Sequence, residues 1–123
     1  MPQPVLQDKC GFTLVEFLVA LVILSIGLLG VLQALDTSIR HNLSNKLRAN
    51  AMMIADQTMA RQHASMPVVG AAVNNYNVGT VTYTVNTVVG NLTANSKTVN
   101  VTVTWQDRGL AKNHIVSTVI RHD

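Results

Sequence analysis

The hydrophobic pattern of the chain changes period twice. From Phe12 to Leu35, 18 of 24 residues are Ala, Val, Ile, Leu or Phe, and Glu16 carries the only charge. A bilayer crossing takes roughly 20 mostly apolar helical residues. The segment therefore predicts a membrane-spanning helix whose backbone satisfies its own hydrogen bonds. Beyond Leu35 a helical period continues. Ile39, Leu43, Leu47, Ala51, Ile54 and Met59 form one stripe, with Ala55 and Met66 beside it. Arg40, Asn42, Lys46, Arg48, Gln57 and Arg61 mostly occupy the other faces. The pattern is that of an amphipathic helix, and Pro67 is its natural stop. A single helix from about Phe12 to Met66 would be roughly 80 Å long at 1.5 Å per residue.

After Gly70 the period becomes two. Val81, Tyr83 and Val85 alternate with Thr80, Thr82, Thr84 and Asn86. Val99, Val101, Val103 and Trp105 alternate with Thr98, Asn100, Thr102 and Thr104, and residues Ile115 to Ile120 read as a further strand. Gly90-Asn91 and Asp107-Arg108-Gly109 carry turn chemistry between these runs. Val68 to Asn77 reads as an ambiguous connecting loop. The alternation predicts an antiparallel sheet with one buried face, and the amphipathic stripe is the element long enough to cover it. The expected fold is α+β: a long N-terminal helix whose C-terminal half packs on a small three- or four-stranded antiparallel sheet. The expected organisation is a leader over 1–11, the apolar half of the helix over 12–35, and a head over 36–123. Within the head, the helix continues to about 66 and the sheet occupies about 78–121.

Composition narrows the classes. Charged residues are only 12% and net charge is +3, so intrinsic disorder is not expected. The chain also lacks the dense Lys/Arg stripe of a nucleic-acid binder, and no nucleic-acid partner is expected. One cysteine, Cys10, cannot form an internal disulfide or a multi-cysteine metal site. The carboxylates Asp8, Glu16, Asp36, Asp56, Asp107 and Asp123 are spread along the chain with no recognisable pair, so no enzyme and no cofactor is expected. His41 and His63 would lie roughly 33 Å apart along a helix, and His114 and His122 roughly 26 Å apart in extended chain. Neither pair suits a metal. Three Asn-X-Ser/Thr triplets, at Asn42, Asn91 and Asn100, are chance matches in a chain rich in Asn and Thr. Trp105 reads as a packing residue.

The start of the apolar run carries the functional signal. Lys9-Cys10-Gly11-Phe12-Thr13-Leu14-Val15-Glu16 resembles the type III signal of type IV prepilins and pseudopilins. Four features coincide: a short polar leader, Gly before Phe, a Glu four residues after Phe12, and an immediate long apolar run. The resemblance implies cleavage between Gly11 and Phe12 by a membrane aspartyl peptidase, and N-methylation of Phe12 by the same enzyme. The stretch from Glu16 to Gly30 looks like the PilV-type minor pilins and the I-type minor pseudopilins of type II secretion. Ala55 to Ala60 and Val101 to Trp105 are weaker matches to the same group.

The resemblance implies a structural subunit whose partners are the prepilin peptidase/N-methyltransferase, other minor and major pilins, the inner-membrane assembly platform and the lipid bilayer. It implies a single-pass inner-membrane protein with a periplasmic C-terminal head, later part of a pilus. Lys9 and the amino terminus, flanking the span, favour the same orientation. Glu16 is expected to dock subunits. An ionised carboxylate in an apolar core costs roughly 2.5–3.5 kcal/mol and marks function by default, and cleavage creates a second charge, the Phe12 amine, that can neutralise it. The bland alternative is a glutamate that snorkels or is protonated in lipid. Gly27 and Gly30 are weak points of a helix in water, and in a membrane or bundle they allow close approach. Major pilins usually carry a proline midway through the apolar helix, and this chain has none between Phe12 and Met66, which fits a minor subunit.

Two other readings compete. An ordinary secretory signal peptide has a shorter apolar region ending in a small-x-small site, and Leu32-Gln33-Ala34 fits that poorly. A signal-anchored membrane protein with a ligand-binding sheet domain would keep Met1 or be cut after Ala34.

Overall fold

The computed structural model of the chain describes residues 1–2, 11–65 and 67–121. Expectations that fall on Lys9 and Cys10 of the leader, on Met66 and on His122 lie outside the described residues. The chain divides into two units, Met1–Arg40 and His41–Asp123. One helix, α1 (Leu14–Ala64, 51 residues), supplies segments to both. It begins two residues after Phe12 and ends two before Met66.

In the first unit every described residue is exposed. The polar side chains of the apolar helix turn back on their own backbone. The Ser25 hydroxyl donates to the Leu21 carbonyl (2.7 Å) and the Thr37 hydroxyl to the Gln33 carbonyl (3.0 Å). Such back-bonding removes the cost of a lone hydroxyl in an apolar medium. The first charges after Glu16 are Asp36 and Arg40, which pair at 2.7 Å across one helical turn.

The second unit holds the core. Four strands follow the helix: β1 (Gly70–Val78), β2 (Val81–Thr93), β3 (Ser96–Asp107) and β4 (Leu110–Arg121). They form an antiparallel meander in the order β1-β2-β3-β4. Tyr83, Val85 and Val89 from β2 and Val99, Val101, Val103 and Trp105 from β3 are buried under Leu47, Ala51, Ile54, Ala55 and Met59 of α1. Ala51 and Ala55 are fully covered, and their small side chains let the helix backbone approach the sheet. Tyr83 donates its hydroxyl to the Leu47 carbonyl (3.2 Å), and its ring lies 6.2 Å from that of Trp105. The architecture is thus α+β, one long helix with a four-stranded antiparallel sheet packed against it, as the pilin resemblance implies.

Three expectations need correction. Residues 70–77, read as a connecting loop, are strand β1 in register with β2 from Gly70↔Val89 to Val78↔Val81. Neither face of β1 is buried except at half-buried Tyr76, so no alternation advertises it. Gly90-Asn91 is not a turn but lies within β2, opposite Thr98 and Lys97. Gly90 suits the place because a Cβ there would meet the Thr98 hydroxyl at 3.1 Å. The turn comes later, at Ala94-Asn95, after a register irregularity between Asn91 and Thr93. Finally, the buried stripe begins only at Leu47, and Ile39 and Leu43 remain 65% and 50% exposed. The helical period runs on past the residues that strands of 12 or 13 residues cover.

The turn at Asp107-Arg108-Gly109 is where the sequence places it. Arg108 and Gly109 both have positive φ (52° and 79°), the requirement of a two-residue I′ hairpin. Asp107 at its edge is buried and pairs with the Arg108 Nε at 3.3 Å. The Ser44 hydroxyl from α1, and next the Arg108 guanidinium, hold its carboxyl below the ordinary 3.8 against the opposing effect of desolvation. A carboxyl with a depressed folded-state pKa stabilises the fold above its unfolded pKa, and that contribution is lost as pH falls through the folded value. Asp107→Asn is therefore expected to lower the melting temperature at neutral pH. Its difference from the parent should shrink as pH falls below the ordinary carboxyl value of 3.8, read by circular dichroism melts of the full chain.

Candidate functional site

The site is the beginning of α1. Gly11, Phe12 and Thr13 precede the helix and are exposed. Phe12 keeps 78% of its surface accessible, so the Gly11–Phe12 bond lies in reachable chain ahead of the helix. Thr13 is the N-cap. Its carbonyl accepts the N–H of Phe17 (3.1 Å) and its hydroxyl accepts the N–H of Glu16 (3.2 Å). Glu16 is thereby the third helical residue, and Thr13-Leu14-Val15-Glu16 has the spacing of a capping box.

Sequence reasoning overlooked Thr13, although the Thr-x-x-Glu spacing was there to read. The cap matters for geometry. It fixes the helix start immediately after Phe12 and sets a carboxylate in the first turn, where the helix dipole favours a negative group. One short segment then holds an accessible peptide bond, a helix start and an acidic side chain, with the apolar span following without a break. By length and composition, α1 is the one helix among the described residues able to cross a membrane, and none of its most apolar stretch is buried. Gly27 and Gly30 lie within that stretch with open space where a side chain would be.

Residues 6–32 match the family model of the prokaryotic N-terminal methylation motif. The motif thus takes in the end of the leader, the Gly11–Phe12 junction, the cap, Glu16, and both glycines. It supports a type IV pilin-like protein, pilin or pseudopilin, that is a substrate of a prepilin peptidase. It also agrees with an apolar N-terminal helix anchored first in a membrane. No curated protein and no solved structure matches the chain.

Among the described residues, no three His, Cys, Asp or Glu side chains come together in a way that could hold a metal ion. His41 and His63 lie near opposite ends of the second unit's helical segment. Trp105 is 6% exposed and belongs to the core.

Proposed function

We propose that this chain is a minor type IV pilin of the PilV type: a non-enzymatic subunit that helps initiate pilus assembly and sits near the filament tip. The observation that carries the reading is the methylation motif seated on a capped helix start and running straight into an exposed apolar span. The peptidase cuts between Gly11 and Phe12 and methylates the Phe12 amine, which keeps its charge. Glu16, one turn along, neutralises that amine between neighbouring subunits as helices bundle. Removing either partner leaves the other charge in a dry environment, so docking is favourable only in register. Gly27 and Gly30 allow helices to approach closely, and the helix without a proline favours a minor over a major subunit.

A minor pseudopilin of a type II secretion or DNA-uptake machine shares every one of these steps. Neighbouring genes separate the two: assembly and retraction ATPases indicate a pilus, secretion-channel components the other machine.

The chemistry common to both is tested by intact-mass and N-terminal peptide mass spectrometry of the protein isolated from its host. The expected mature chain begins at N-methylated Phe12. A functional chain that still begins at Met1, or one cut after Ala34, overturns the reading.

A further inference from the structure

We propose that a basin at the C-terminal end of the helix binds an acidic peptide segment of a partner protein, its carboxylates gripped by His63, Lys97 and Arg121. The basin is a cavity of about 440 Å³ where the end of α1, Pro67, the β2–β3 turn and the ends of β3 and β4 meet. Three basic side chains reach it from three separate elements, and among the described residues no carboxylate lines it. Ala64, Pro67, Ala94 and Ile120 add apolar wall. Basic groups beside an apolar wall suit a segment that alternates acidic and aliphatic side chains.

Among the described residues the fold does not engage all the donors of these basic groups. Lys97 is held by one bond, from its Nζ to the Pro67 carbonyl at 2.7 Å, and an ammonium has two further donors to offer. The helix end is closed by Ser65, whose N–H and hydroxyl both donate to the Arg61 carbonyl (3.0 and 2.8 Å). Among the described residues, no carboxylate lies within ion-pairing distance of His63, Lys97 or Arg121. The wider field has the same sign. Residues 41–123 carry seven Lys or Arg against three Asp. Of the three, Asp107 sits at the opposite end of β3 and is engaged by Ser44 and Arg108. Such a field draws in anionic partners and orients them.

The arrangement favours peptide over nucleic acid. Strands of DNA or RNA are held by a track of phosphate contacts and by exposed aromatic rings on which bases stack. Here the cations converge on one basin. Of the aromatic side chains in residues 41–121, Tyr83 and Trp105 are buried, while half-buried Tyr76 accepts a hydrogen bond from Arg61.

The test uses the full chain in nanodiscs of zwitterionic lipid, with empty discs as blank. Fluorescence anisotropy follows a labelled peptide of alternating glutamate and valine, a counterpart with glutamine for glutamate, and a single-stranded oligothymidine. The glutamate peptide is expected to bind at low salt, and the glutamine peptide at least ~10-fold more weakly. Arg121→Gln and Lys97→Gln should each weaken binding by roughly 1.5- to fivefold, the range for exposed charge pairs. Lys97→Gln also removes the Pro67 contact, so His63→Gln together with Arg121→Gln, both at exposed positions, gives a second route to the same answer. Equal binding of the two peptides, unchanged binding by the His63/Arg121 double variant, no binding of the glutamate peptide, or tighter binding of oligothymidine each overturns the proposal.

Discussion

Glu16→Gln is expected to leave cleavage after Gly11 intact and to remove the protein from sheared filaments. The substitution is chosen because the residue has two physical roles at one place. As the third residue of α1 it donates its N–H to the Thr13 hydroxyl at the spacing of a capping box, and glutamine serves at that position as well as glutamate does. As a charge it pairs with the Phe12 amine under the proposed docking, and glutamine cannot. Leaving one member of a buried pair without its partner costs about 3–5 kcal/mol. At 1.4 kcal/mol per tenfold, that is a drop of about 100-fold or more in the docking equilibrium. Thr13→Ala is the control. It loses a cap worth about 1 kcal/mol and keeps the carboxylate, so incorporation should fall only several-fold. Immunoblots of sheared filaments beside N-terminal mass spectra of the membrane pool read both quantities. Normal incorporation of Glu16→Gln, or an equal defect in Thr13→Ala, means that the helix start and not the charge governs assembly.

Tyr83→Ala is expected to unfold the head. Tyr83 is fully covered. It fills the middle of the helix–sheet interface, packs beside Trp105 and ties the sheet to the helix through the Leu47 carbonyl. Truncating a buried aromatic costs about 3–5 kcal/mol, a large share of the roughly 5–15 kcal/mol that holds a small domain together. Tyr83→Phe separates packing from hydrogen bonding. It keeps the ring and removes a bond worth about 1 kcal/mol. The Leu47 carbonyl stays within the helix. Urea unfolding followed by Trp105 fluorescence measures both variants. A Tyr83→Ala loss no larger than that of Tyr83→Phe shows that this ring does not organise the core.

Legibility followed burial. The strands β2 and β3 were readable because one face of each is covered and the other wet, so Val, Tyr and Trp alternate with Thr and Asn. For β1 the reverse holds. It is exposed nearly throughout, no hydrophobic alternation is demanded of it, and the backbone ladder to β2 makes it a strand. The β2–β3 turn was misread for a related reason. Gly90 and Asn91 are turn-forming residues, yet Val89 must stay opposite Val99 to keep both inward. A one-residue slip would turn every core side chain outward. At the candidate site the motif that takes in Gly11, Phe12 and Glu16 was legible because its residues are local. The Thr13 cap was equally local and was passed over.

Local order along the chain by itself determined the membrane-length apolar span, the place where the helix stops before Pro67, the inward faces of the two central strands, and the junction that matches a methylation motif. All of these depend on residues within a few positions of one another, where hydrogen bonding and helical or strand periodicity leave their mark directly. Tertiary structure alone decided that β1 exists, that the stripe is buried only from Leu47 onward, that Asp107 meets Ser44, and that His63, Lys97 and Arg121 share one basin. Those groups lie far apart along the chain and are joined by strand register and helix packing, which no short window of residues contains.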